Sequence, residues 1–171
     1  MLIRDFVYAD TSLAEAVHAV TQGAPGWLGP LAVGGAAAGE TVRLRIGPTT
    51  AVAGLSLVAT VRVGESATFG DGVVLPITWE AAHVRGAFPV LQGELEIAPM
   101  GPRQVQVTLT GRYEPPLGVV GRRLDQLVLH RVAEASVRDF LQRLASALAP
   151  QPHRETEGPT FPQLNPEPAG D

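Results

Sequence analysis

Five consecutive segments between Glu40 and Tyr113 alternate apolar and polar residues, and one long amphipathic stretch, about Gly121–Ala149, follows them. A period of two puts alternate side chains on opposite faces of a strand. Val42, Leu44 and Ile46 oppose Arg43 and Arg45, and Leu57, Ala59, Val61 and Val63 oppose Thr60 and Arg62. Val73, Leu75, Ile77 and Trp79 oppose Thr78 and Glu80, Leu95 and Ile97 oppose Glu94 and Glu96, and Val105, Val107 and Leu109 oppose Gln106, Thr108 and Thr110. Turn signals at Gly47-Pro48, Gly70-Asp71-Gly72, Arg85-Gly86 and Pro99–Pro102 separate them. Parallel strands need crossovers of about a dozen residues, so connections this short predict an antiparallel meander. In the final stretch Leu124, Val128, Ala133, Val137, Leu141, Leu144 and Leu148 recur at steps of a helical turn, a stripe wide enough to cover a sheet. A single closing helix gives one curved sheet something to wrap, with room for a ligand between them.

The first part of the chain is mixed. Leu2–Tyr8 reads as a strand. Ser12, followed three residues later by Glu15, is a capping box, and Leu13, Ala16, Val17 and Val20 keep helical spacing, which predicts a helix at Ser12–Thr21. Gly26–Pro30 reads as a short second helix or turn, and Val33–Gly39, rich in Gly and Ala, as a connector. Pro76 lies inside a predicted strand; having no N–H, it demands an unpaired edge position or a bulge. From Pro150 onward six prolines and few apolar residues predict a disordered tail, in which Pro159–Pro162 has PxxP form but is expected to be only a proline-rich end. The expected organisation is one domain over 1–149 and a proline-rich acidic tail over 150–171. The expected class is α+β: a curved antiparallel sheet of six or seven strands gripping a long C-terminal helix, with one or two short helices after the first strand.

Composition excludes several chemistries. There is no cysteine, so disulfides, thiolate metal sites and cysteine nucleophiles are out. All 13 basic residues are arginine, which removes Schiff-base chemistry and a Walker lysine. Of the net charge of -4, the tail carries -3, leaving a nearly neutral body with no basic footprint for nucleic acid. No apolar run approaches the ~20 residues of a transmembrane helix, and the N-terminus has no signal-peptide pattern, so a cytoplasmic location is the default expectation.

His18, His83, His130 and His153 show no metal-ligand spacing, and no nucleotide or nucleophile motif occurs. No metal or cofactor is therefore expected. Glu80, Glu94 and Glu96 share a face with Arg43, Arg45 and Arg62, the composition of a solvated outer face with cross-strand ion pairs rather than of an acid–base pair. The opposite face carries no charged residue on these strands, so a catalytic group would have to come from the rim: His83, Tyr113, Asp125 or His130. Arg122 and Arg123 stand near the start of the long helix, where cations oppose the helix dipole. Glu114, Asp125 or an anionic ligand head group at a pocket mouth would compensate them; alternatively the helix begins near Leu117 and both face solvent.

The element order resembles that of the START-like, or SRPBCC, helix-grip superfamily over about Leu2–Ala149. The most specific local part is Tyr113-Glu-Pro-Pro-Leu-Gly-Val-Val-Gly-Arg-Arg-Leu-Asp125 leading into Leu129-His-Arg-Val-Ala-Glu134, which resembles an uncharacterised bacterial branch. Such folds usually have seven strands against the six clear ones here; the seventh either lies in Thr49–Gly54 or is lacking in this branch. The resemblance implies binding of a lipid, sterol, polyketide or hormone between sheet and helix, and in some members cyclase or dioxygenase-subunit roles. The leading expectation is a non-enzymatic binder or carrier of a hydrophobic small molecule, lined by Leu44, Val61, Leu75, Ile77, Leu95, Val107, Leu109, Tyr113, Val128, Val137 and Leu141. The alternatives are a polyketide cyclase or aromatase, and a protein-interaction domain with a solid core.

Overall fold

Short turns between one-faced strands make sequence neighbours into spatial neighbours, and the sheet follows that rule. A computed structural model describes residues 1–38, 41–46, 57–81, 90–114 and 126–149. It contains β1 (Leu2–Ala9), β2 (Ala32–Ala38), β3 (Thr41–Ile46), β4 (Leu57–Val63), β5 (Ala67–Phe69), β6 (Gly72–Ala81), β7 (Val90–Gly101) and β8 (Gln104–Glu114). The sheet runs β1-β8-β7-β6-β4-β3-β2, antiparallel throughout, with β5 paired to β6 off that path. Helices α1 (Leu13–Thr21) and α2 (Ala24–Leu28), then a 3-10 turn at Gly29–Leu31, carry the chain from β1 at one edge to β2 at the other. Helix α3 (Gln126–Leu148) closes the inner face.

The α+β class and the meander are those expected, but two strands were not read from the sequence. Most of Val33–Gly39, expected as a connector, belongs to β2 (Ala32–Ala38), which pairs with β3 on both sides of a register shift between Ala32 and Ala37. A run of Ala and Gly has no alternation to reveal it; pairing to a neighbour defines this strand. β5 has three residues, too few to show a period. Thr49–Gly54, the tail from Pro150 and the start of the long helix lie outside the described residues.

Pro76 sits on β6, which has partners on both sides, yet breaks no ladder. Its carbonyl accepts from the Gly64 N–H at 2.8 Å, so its N and O face the β4 side. There β4 pairing ends at Val63↔Ile77 and β5 pairing begins only at Ala67↔Val74. The missing N–H falls at that gap, while pairing with β7 runs unbroken through Pro76↔Glu94.

The predicted capping box is present at α1. The Glu15 N–H donates to Ser12 Oγ at 3.3 Å, and the Ser12 N–H donates to Glu15 Oε2 at 2.9 Å. Bonds from the Ser12 backbone, then its hydroxyl, then Thr11 hold the Glu15 carboxyl below its ordinary range. A depressed carboxyl stabilises the fold above the unfolded-state value and loses that contribution as pH falls through the folded one. Ser12→Ala is expected to cost about 1 kcal/mol at neutral pH. The gap to wild type, measured by thermal melts, should narrow in acid; a gap independent of pH would mean that Glu15 adds nothing to the cap.

Two arginines tie α3 down at different strands. Arg138 Nε donates to Asp5 Oδ2 on β1 at 3.0 Å. Arg143 Nη2 donates to the Arg45 carbonyl on β3 at 2.6 Å, and Asp139 Oδ2 lies 2.6 Å from the same nitrogen. Along the same helix Ala133, Val137, Phe140, Leu141, Leu144 and Leu148 are buried on one stripe. No described helix is long and apolar enough to cross a membrane.

Candidate functional site

Register turns the alternation into rows across the inner face. Tyr113, Leu91, Trp79, Val61 and Val42 stand side by side on β8, β7, β6, β4 and β3. The next row is Ile3, Gly111, Gly93, Ile77 and Val63, followed by Leu109, Leu95 and Leu75. Phe140 of α3 meets Trp79 edge to face, with ring centroids 5.5 Å apart. The ring contact joins the helix stripe to the first row.

Ten of the eleven side chains expected to line a pocket lie in this one buried cluster: Leu44, Val61, Leu75, Ile77, Leu95, Val107, Leu109, Tyr113, Val137 and Leu141. Val128 belongs to α3, but its side chain lies outside the described residues, as do His83, Arg122, Arg123 and Asp125. His130 does not join the cluster. Its ring is partly exposed, with Nε2 3.1 Å from Glu134 Oε1 and Nδ1 against the Met1 sulfur.

Tyr113 turns inward, and burial alone pushes its hydroxyl well above the usual phenol range. It is therefore protonated at physiological pH. Its backbone also anchors the chain start, donating to the Met1 carbonyl at 2.8 Å and accepting from the Met1 ammonium at 2.9 Å.

The outer face is solvated, as the carboxylate pattern indicated. Glu80 and Glu94 are exposed together with Arg43 and Arg62, while Glu96 is half-buried. Threonines separate the opposite charges: Arg43, Thr60 and Glu80 form one row, and Arg4, Thr110 and Glu94 another. Two strands apart their Cα positions are about 10 Å from each other. Among the described residues no ion pair joins Arg43 to Glu80 or Arg4 to Glu94, so the expected cross-strand pairs do not form there.

Three residues important to the interior escaped the sequence reading. Asp5 places a carboxylate at the inner rim, where it accepts from Arg138 and from the Phe6 N–H at 2.9 Å. The alternation of β1 (Leu2, Phe6 and Tyr8 exposed, Ile3 and Ala9 buried) signals that placement. Phe140 continues the stripe of α3 one residue before Leu141. Trp27 of α2 is buried in the same cluster, and only its aromatic size in a short helical turn hinted at it.

The described residues also form open grooves on the surface. One of about 340 Å³ runs between β1 and α3, lined by Ile3, Arg4, Asp5, Arg131, Glu134 and Arg138 among others. Its mixed charges contrast with the uncharged interior.

No family profile and no curated protein matches the sequence. Solved structures do match. A conserved protein from Geobacillus kaustophilus aligns with a TM-score of 0.54 at 13% identity, over 86% of this chain and 95% of that one. A protein from Thermus thermophilus aligns at 0.54 and 16% identity, over 86% and 97%. A START superfamily protein from Mycobacterium smegmatis aligns at 0.45 and 18% identity, over 86% and 93%. The first two share this chain's fold, an antiparallel sheet closed by a C-terminal helix. In it the first and last strands lie side by side, the two short helices bridge the sheet's edges, and the terminal helix rests on the inner face.

Proposed function

We propose that this helix-grip protein binds or carries a hydrophobic small molecule between the inner face of its sheet and α3. One observation carries the reading: the side chains of the described residues buried between sheet and helix are uncharged. Among the described residues the buried polar or charged ones are Thr11, Thr108 and Ser136, of which Thr108 lies on the outer face opposite Phe6. The arginines and glutamates of the strands point outward, and Asp5, on the inner side of β1, stands half-buried at the rim with Arg138. An apolar lining of this extent suits a molecule recognised by burial of surface, at roughly 25 cal/mol per Å². Ligands of START-like relatives, lipids and polyketides among them, are of that kind. Arg122 and Arg123 remain candidates for an anionic head group at the mouth. The protein purified from its host should yield a single apolar compound, near one per chain, when its organic extract is examined by mass spectrometry. A clean extract, together with no uptake of an apolar fluorophore, refutes the proposal.

Tyr113 favours a second reading, a cyclase-like enzyme, because its side chain is buried in the cluster that sheet and helix share. With its pKa raised it serves as a hydrogen-bond donor to a developing oxyanion rather than as a base. Tyr113→Phe separates the two: a carrier keeps its ligand, whereas a cyclase keeps its substrate and loses turnover.

A further inference from the structure

Trp27 holds a donor that the fold leaves unused. Its side chain is buried, 3% exposed, in the cluster that sheet and helices share. Among the described residues no acceptor lies within hydrogen-bonding reach of its indole Nε1, which is itself shut off from solvent. A buried unpaired N–H costs about 1–3 kcal/mol, against a total stability of about 5–15 kcal/mol for an ordinary domain. Phenylalanine would fill much of the same apolar place with no such cost. The helix that carries Trp27 touches β2, β3 and α3, so it closes the interior at the end opposite β1.

We infer that Trp27 Nε1 donates a hydrogen bond to an uncharged oxygen of the bound apolar molecule, selecting oxygenated ligands over hydrocarbons. The inference rests on the binding reading above and names the ligand class: an apolar body bearing a ketone, ester, ether or hydroxyl oxygen. Indole N–H is a donor only, so a ligand group that can merely donate gains nothing from it. The oxygen is neutral because an ionised carboxylate would be buried with no cation among these side chains to pair it. Tyr113, kept protonated by burial, supplies no anion that would favour a cationic ligand.

Two probes of nearly equal shape test this: 1-acetonaphthone, which has a carbonyl acceptor, and 1-ethylnaphthalene, which has none. Calorimetric titrations of the full chain should show Trp27→Phe weakening the ketone about tenfold while the hydrocarbon shifts less than about twofold. Comparing each probe with itself removes the difference in their hydration. The chain has two tryptophans, so a ¹⁵N-labelled sample gives two indole N–H signals, and the one absent from Trp27→Phe belongs to Trp27. That signal should move downfield with the ketone and not with the hydrocarbon. If the variant does not fold, Trp27→His provides the assignment and the wild-type signal decides. Equal losses for both probes, or the same signal shift with both, overturn the donor role and leave the binding reading standing; a trapped water on the N–H gives that result. Binding of neither probe to the wild type removes both.

Discussion

Gly93→Ala is expected to cost about 3 kcal/mol and lower the melting temperature by roughly 6–12 °C. A Cβ at Gly93 would collide with the Thr110 carbonyl oxygen and lie 2.6 Å from Gly111 Cα. The obstacles are backbone atoms of the paired strand, so no rotamer change relieves them; β7 and β8 would have to part. Gly111 faces Gly93 across that pair, and its own Cβ would stand 3.0 Å from the Gln92 carbonyl oxygen. The two glycines let the adjacent strands approach closely, which a side chain on either would prevent. Gly29→Ala is the control: nothing lies within 4 Å of a Cβ there, and its backbone is helical. That change should be neutral or stabilise by up to about 1 kcal/mol through the unfolded chain. Denaturant titrations of both variants check the pair. Equal stabilities would mean that the pairing of β7 with β8 does not depend on the glycine row.

Alternation made the sheet legible because each of β3, β4, β6, β7 and β8 buries one face in the core shared with the helices and wets the other. β2 was invisible for the converse reason: Ala and Gly look the same on both faces. Pro76 looked like a flaw because a single segment says nothing about which neighbour its N–H faces. The answer lies in the Gly64–Ser66 gap between β4 and β5, a property of three segments together.

The site was legible as a list and illegible as a geometry. Apolar positions such as Leu75 and Val107 could be assigned to one face from periodicity alone. That Tyr113, Leu91, Trp79, Val61 and Val42 form one row depends on register, and register depends on turns whose geometry the residues only suggest. Asp5 shows a further limit. In a strand of Ile, Phe, Val and Tyr its carboxylate reads as an exposed interruption; only α3 crossing above β1 supplies Arg138 and makes it a tie. Trp27 is similar, since an indole N–H is satisfied or orphaned by neighbours distant in sequence.

Phe140→Ala is expected to lose about 3–5 kcal/mol, a large part of an ordinary domain's stability. The ring is 1% exposed and stands edge to face on Trp79 at 5.5 Å and 70°. Phe6 and Tyr8 on the outer face of β1 provide an internal comparison, with almost the same ring geometry at 5.6 Å and 70°. Their rings are about half exposed, so Phe6→Ala removes little surface from burial and should cost under about 1 kcal/mol. Ring geometry being shared, burial accounts for the difference. Denaturant midpoints of the two variants measure it, and similar losses would refute close packing of α3 on the first row. The truncation also bears on binding, because it widens the space between helix and sheet beside Trp79. If the ligand lies there, Phe140→Ala should bind 1-ethylnaphthalene more tightly than wild type despite its lower stability, and the bound probe should restore part of the lost melting temperature. Weaker binding in a folded variant would place the ligand against the Phe140 ring itself, with that ring as one of its contacts.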